Sequence, residues 1–325
     1  RRAQGFDGAI FGARAAYIGG CAGTACALVD RDFGIPASGT MAHSWVQLFD
    51  SEYEAFRAYA REYPNNCILL VDTYNTLKSG MPNAIRVFRE ELLPRGCRPK
   101  GVRIDSGDIA YLTNKCRKML DDAGFDDCKI IASNSLDEYL IRDMLIQEAK
   151  VDVFGVGERL ITAASDPVFG GVYKLVAVEN AAGEMTPKIK ISENIAKISL
   201  PGFKKVWRLF DRETGKAEAD VITLADEVID DTKEYELFDP DHIWKRKMIS
   251  NFRAEPLLRQ IFKKGKLVYD SPSTALIRAY CKEQVDTLWD EVKRFENPHD
   301  YYVDLSVPLW EQRNALLTKY STMPD

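Results

Sequence analysis

A chain of 325 residues with 46% hydrophobic content can bury more core than one domain usually carries. Its net charge of −5 argues against a general nucleic-acid binder and a polybasic membrane anchor, and no apolar run is long enough to span a bilayer. The seven cysteines are scattered and lack a CxxC pair, so neither a disulfide framework nor a structural zinc site is expected and a reducing cytosol is the natural compartment.

The chain opens Arg1-Arg2-Ala3-Gln4-Gly5 with neither Met nor signal peptide, and reads as entered in mid-protein. The apolar spacing of Phe49, Tyr53, Phe56 and Ala60 predicts a helix over 46–63. Cys67 to Val71 is a short apolar strand, Ile85, Phe88 and Leu92 mark a helix before Pro94, and Gly101 to Ile104 is a second strand. Ile109, Leu112, Cys116 and Met119 mark a helix that Gly124 ends; the strand Lys129 to Ala132, a helix carrying Leu136, Leu140 and Met144, and the strand Val151 to Gly155 follow. Apolar strands separated by amphipathic helices predict a parallel sheet covered by helices. Four such units favour an α/β fold with a TIM-like barrel over 1–200.

After residue 180 the character changes. Val206 to Phe210 and Val221 to Leu224 flank Glu213-Thr214-Gly215-Lys216 and predict a hairpin. A strand at 267–269 and a long helix over 273–295, with Leu276, Tyr280, Leu288 and Val292 apolar, complete a mixed α/β lobe over 201–325.

Each predicted parallel strand ends in polar residues: Asp72-Thr73-Tyr74, Asp105-Ser106-Gly107-Asp108, Ser133-Asn134 and Gly155-Val156-Gly157-Glu158. In parallel α/β folds these ends carry the active site, although Asp, Ser and Asn there also cap the following helices. Capping does not explain Arg103, one residue before the end of an apolar strand. The Asp105 loop joins two carboxylates, a hydroxyl and a glycine, which suits a ribose diol or Mg²⁺ bridging phosphates. Gly155 and Gly157 can let phosphate oxygens approach backbone N–H groups. His43 follows Ser38-Gly39-Thr40-Met41-Ala42 at a helix start; His242 and His299, in the C-terminal lobe, read as surface residues.

The order of these segments, with Gly39 to Ser44 before them and Gly170-Gly171-Val172-Tyr173-Lys174-Leu175 after them, resembles nicotinate phosphoribosyltransferases, most specifically at 101–108. The resemblance implies an irregular α/β barrel plus a mixed lobe built from both chain ends, in a cytoplasmic homodimer. It implies transfer of phosphoribosyl from phosphoribosyl pyrophosphate to nicotinate in NAD biosynthesis, with Mg²⁺ and with ATP as co-substrate. By the same resemblance His43 is phosphorylated by ATP, Thr40 and Arg103 contact nicotinate, and Asp72 and Asp105 act near the ribose and metal–pyrophosphate. Arg1 belongs to the substrate pocket, Ser133 and Asn134 are further substrate contacts, and Gly155, Gly157 and Glu158 form the phosphate turn. Some members carry Thr where Glu158 stands, so either backbone contact there or a Glu158 side chain turned away is expected. The rival readings are a nicotinamide or quinolinate phosphoribosyltransferase, a silent ligand-binding homologue, and a generic phosphate-binding barrel such as an aldolase, which would normally need a Lys at a strand end that none of the four clusters has. For Arg103 the rival role is a brace that pairs with Asp105 or Asp72.

Overall fold

The computed structural model describes residues 2–194 and 197–321. Cα packing divides the chain into two compact units, Arg1–Phe169 with Ser273–Arg278, and Gly170–Pro272 with Ala279–Asp325. Arg1 lies outside the described residues. Among the described residues no helix is long and apolar enough to cross a membrane.

The first unit opens with helices α1 (Gly5–Ile18), α2 (Ala27–Phe33), α3 (His43–Gln47) and α4 (Glu52–Glu62). The helix expected over 46–63 is therefore two. The Ser51 hydroxyl accepts from the Glu54 N–H and starts a new helix, because a serine at that position satisfies an otherwise orphaned amide. Phe56 and Ala60 are fully buried, as the spacing predicts.

Strands β1 (Ile68–Leu70), β2 (Gly101–Ile104), β3 (Lys129–Ser133) and β4 (Val153–Gly155) form a parallel sheet in the order β1-β2-β3-β4. The β1–β2 connection contains α5 (Met81–Val87), with π-type turns on either side, while α6 (Ile109–Asp122) and α7 (Glu138–Ile146) join the later pairs. Leu69, Leu70, Val102, Ile104 and Ile130 are fully buried beneath Phe56, Phe88 and Phe125. Val153 is half exposed on β4, the last strand of this sheet among the described residues. At Gly80 an added Cβ would lie 1.8 Å from the Val71 carbonyl oxygen, so only glycine lets this turn rest on the end of β1. Short helix α8 (Glu158–Ile161) follows β4.

The second unit begins with the Gly170–Leu175 segment, which has no regular structure and exposes Tyr173 fully. It then forms the ribbon β5 (Ala177–Glu179) and β6 (Met185–Pro187). The predicted hairpin is present as β7 (Lys204–Asp211) and β8 (Ala217–Leu224). Hairpin β9 (Tyr235–Phe238) with β10 (Arg246–Ile249), strand β11 (Phe252–Pro256) and ribbon β12 (Phe262–Lys263) with β13 (Lys266–Leu267) follow. Helix α9 (Thr274–Asp286), strand β14 (Val303–Leu305) and helix α10 (Val307–Ser321) complete the described chain, and the main sheet has the order β11-β7-β8-β14.

The helix expected to reach residue 295 stops at Asp286. Lys216 Nζ donates to the carbonyls of Asp286 and Leu288, and the Ala217 N–H donates to that of Thr287. Those carbonyls serve the β7–β8 turn in place of a further helical turn, a competition the local pattern cannot register.

Candidate active site

The carboxyl ends of β1, β2 and β3 meet in register: Leu70 pairs with Arg103, and Arg103 with Ile131. Residues just beyond these partners are therefore brought side by side. The Asp105 N–H and the Ser106 hydroxyl donate to Asp72 Oδ2, at 2.8 and 2.7 Å. The other oxygen, Asp72 Oδ1, is buried without a hydrogen-bond partner, on a side chain only 2% exposed. An unsatisfied carboxylate oxygen is costly and calls for a cation or donor.

His43, at the first position of α3, answers it in part. Its Nε2 lies 3.6 Å from Asp105 Oδ2 and 4.0 Å from Asp72 Oδ1, while Nδ1 is 3.1 Å from the Thr73 hydroxyl. Two carboxylates favour the proton on Nε2, which leaves Nδ1 to accept from Thr73. Sequence reasoning quoted Thr73 only as part of a motif; its position directly after Asp72 was the available signal.

Arg103 spans the cluster. Its Nε donates to Ser133 Oγ at 2.8 Å, Nη1 to Thr40 Oγ1 at 2.9 Å and to the Met41 carbonyl at 3.4 Å, and Nη2 to Asp105 Oδ1 at 2.9 Å. Four of the guanidinium's five N–H groups are thus engaged. Arg103 holds Asp105 as a brace does, and one N–H remains on Nη2 for a ligand. Asp105 Oδ1 also accepts from the Ser133 hydroxyl. Burial of the Asp105 carboxyl works to raise its pKa, but bonding from Ser133 and Arg103, with the charge of Arg103, holds it below the usual carboxylate range.

Asn134 and Ser135, beyond β3, take φ of 101° and 45°. Left-handed backbone is unusual outside glycine and recurs at functional sites. Asn134 borders a cavity of about 270 Å³ between the Gly107–Ala110 turn and α7, floored by Ile109, Leu136 and Met144.

The fourth polar cluster stands apart. Gly155 packs beside Ser133, where an added Cβ would meet the Ser133 Cβ at 3.2 Å. Gly157 precedes α8, and Glu158 turns to Arg2, with Nη1 to Oε2 at 2.6 Å. Among the described residues no hydrogen bond joins Gly157 or Glu158 to the His43 cluster. His242 and His299 belong to the second unit: His242 Nδ1 lies 2.9 Å from Asp239 Oδ2, and His299 Nδ1 is 2.8 Å from the Asp300 carbonyl. Among the described residues no group of three or more His, Cys, Asp or Glu side chains is disposed to hold a metal ion.

The site thus offers an imidazole between two carboxylates, an arginine with one spare donor, and hydroxyls from Thr40, Thr73, Ser106 and Ser133. That set can orient a sugar hydroxyl, a cation and a small anion together.

Residues 203–313 match the family model of the nicotinate phosphoribosyltransferase C-terminal domain. The nicotinate phosphoribosyltransferase of Bacillus subtilis (strain 168) is 47% identical over 315 residues, which are 96% of this chain and 63% of the relative. The Homo sapiens nicotinate phosphoribosyltransferase is 30% identical over 371 residues, covering 97% of this chain and 67% of the relative. The crystal structure of human nicotinic acid phosphoribosyltransferase superposes with a TM-score of 0.79 at 28% identity, over 98% of this chain and 69% of that one. This chain spans about two thirds of the length of the curated relatives it matches. With this likeness running through both units, the chain belongs to the nicotinate phosphoribosyltransferase family.

Proposed function

We propose that this chain forms the greater part of an enzyme that transfers phosphoribosyl from phosphoribosyl pyrophosphate to nicotinate, giving nicotinate mononucleotide and pyrophosphate in NAD salvage. The observation that carries this reading is the convergence of His43, Asp72, Arg103 and Asp105 at the carboxyl ends of the parallel strands. The nicotinate ring nitrogen attacks C1 of the ribose with its free lone pair, and the bond from C1 to the pyrophosphate oxygen breaks; no proton has to leave the pyridine. Asp105 and Asp72 favour the positive charge that develops at C1 and hold the ribose hydroxyls. The free N–H of Arg103, with the Thr40 hydroxyl, receives the nicotinate carboxylate and aims the nitrogen.

Mg²⁺ fits the donor set, since Asp105 Oδ2 and the buried, unpartnered Asp72 Oδ1 are hard oxygens and this ion takes few protein ligands. Held there with substrate oxygens, it would offset charge on the departing pyrophosphate. His43 takes a phosphoryl group from ATP, coupling hydrolysis to turnover; Ser133, Asn134, Gly155, Gly157 and the Glu158 turn contact the phosphoribosyl substrate. The four-stranded sheet is part of an irregular TIM-like barrel in a cytoplasmic homodimer, a reading supported by Leu276 and Tyr280 of α9, which stand exposed in the single chain.

Turnover of phosphoribosyl pyrophosphate with nicotinate, nicotinamide and quinolinate in parallel tests the substrate. Nicotinate is expected to be used best; preference for either rival rejects the assignment. Labelled ATP is expected to leave acid-labile phosphate on His43 and none on His43→Ala, and label on another residue rejects the phosphohistidine.

A further inference from the structure

The turn that follows β4 stands apart from the His43 cluster, yet it is fixed to the neighbouring loop at two points. At its base Gly155 pairs with Ser133 in the β3–β4 ladder, and an added Cβ would meet the Ser133 Cβ at 3.2 Å. Beyond the glycines, Arg159 Nη1 lies 3.1 Å from Asp137 Oδ2. Val156, Gly157 and Glu158 lie between these two attachments.

Asp137 is suited to this task by its place in the chain. β3 ends at Ser133, and the backbone passes through Asn134 and Ser135 at φ of 101° and 45°. Two residues later Asp137 caps α7: its Oδ1 accepts from the Leu140 N–H at 2.8 Å, which leaves Oδ2 for Arg159. The Asp137 side chain is 14% exposed, so packing and the cap together fix it. Arg159, the second residue of α8, is 52% exposed. With one partner mostly buried and the other half in solvent, the pair is too weak to hold the fold together, but strong enough to choose between positions of a short turn. Glu158 is turned to Arg2 instead, so adjacent side chains tie the turn to two separate elements.

We infer that the Arg159–Asp137 pair is a latch that positions the Gly155–Gly157 turn for phosphoribosyl pyrophosphate, an inference that rests on the function proposed above. Both are positioning residues, and neither touches substrate. Asp137 fixes Arg159, and Arg159 fixes the backbone of Gly157 and Glu158 relative to Ser133, whose hydroxyl holds Asp105. The turn addresses phosphate oxygens and not the pyridine. Opening the latch therefore weakens the grip on phosphoribosyl pyrophosphate and leaves nicotinate alone.

Steady-state turnover and calorimetric binding of phosphoribosyl pyrophosphate by the intact protein, by Asp137→Asn, by Arg159→Gln and by the double variant test this inference. Asparagine caps a helix as well as aspartate does, so Asp137→Asn opens the latch without unwinding α7. Each single variant is expected to raise KM and Kd for phosphoribosyl pyrophosphate about fivefold, the factor that an ion pair with one solvated partner can carry. The nicotinate KM, kcat and Tm are expected to hold, the double variant to match the singles, and Arg159→Lys to recover most of the loss. A rise in Arg159→Gln without one in Asp137→Asn would mean that Arg159 grips the pyrophosphate itself, and overturns the latch. Native values in both variants, or equal rises in both KM values with a lower Tm, overturn it as well. Failure of the native protein to bind phosphoribosyl pyrophosphate at all rejects the proposed function, and the latch with it.

Discussion

Arg103 on the parallel sheet and Arg208 on the antiparallel sheet are similarly buried, at 25% and 19% side-chain exposure, and each holds an aspartate within 2.9 Å. Their surroundings differ. Arg208 grips both oxygens of Asp220, at 2.8 and 2.9 Å; Tyr301 donates a further bond to that carboxylate, and Gln284 accepts from the guanidinium. There both carboxylate oxygens of Asp220 are answered, and the contacts tie β7, β8, α9 and the Tyr301 segment together. The Arg103 network is open. Its carboxylates are not answered in the same way: Asp105 keeps one oxygen facing His43, and Asp72 keeps one without a hydrogen-bond partner among the described residues. Carboxylate oxygens left open at buried groups separate a site from a brace more sharply than the residue types do.

The largest test of this contrast is Arg208→Met. It strands Asp220 without its cation and is expected to cost about 3–5 kcal/mol in denaturant unfolding, leaving turnover per folded molecule unchanged. A stable Arg208→Met protein would mean the closed network does not act as a brace. On the other sheet, Asp105→Asn is expected to lower kcat by a factor of about 100 while shifting unfolding stability by less than about 1 kcal/mol. An unchanged kcat with only the nicotinate KM raised would remove Asp105 from the ribose and metal.

Asp304 offers a test by pH alone. Burial, with Asp239 nearby, raises its pKa from 3.8 to about 6 on a residue 4% exposed. Below about 4 the group is protonated both folded and unfolded, and costs nothing. Between about 4 and 6 the folded state holds the proton more tightly, so stability falls as pH rises; above 6 the full cost is present. Asp304→Asn is therefore expected to stabilise the protein by about 2 kcal/mol at pH 7, the gain vanishing near pH 4. A pH-independent difference would rule out titration as the cause. The smallest effect is expected at Arg103: with one N–H to spare, Arg103→Gln should lower kcat/KM for nicotinate about tenfold more than for nicotinamide. Equal losses with a lower Tm would make Arg103 a brace alone.

Much of the site was legible because parallel strands place their carboxyl ends at one edge whatever the side chains are. The apolar runs at 67–71, 101–104 and 129–132 therefore led directly to Asp72, Asp105 and Ser133. The resemblance marked Thr40, but not that Arg103 holds it, because that bond joins residues 63 positions apart. Helix ends were legible only where the stop was local. Gly124, at φ 83°, turns the chain just beyond α6, whereas α9 ends because a lysine seventy residues earlier, Lys216, takes the Asp286 carbonyl. The pairing of Glu158 with Arg2, 156 positions away, was equally beyond reach of any window.

The contact between Gly80 and Val71 bears on how this protein tolerates change. Val71 precedes Asp72, and its N–H is tied to the Arg103 carbonyl at 3.0 Å. A methyl group at position 80 would meet backbone at 1.8 Å and could be housed only by moving the end of β1, and Asp72 with it. In a scan of single substitutions scored by turnover, position 80 would rank with the acidic residues themselves, though its side chain could never touch a substrate. Sensitivity read from such a scan would thus trace the support beneath the carboxylates as well as the carboxylates.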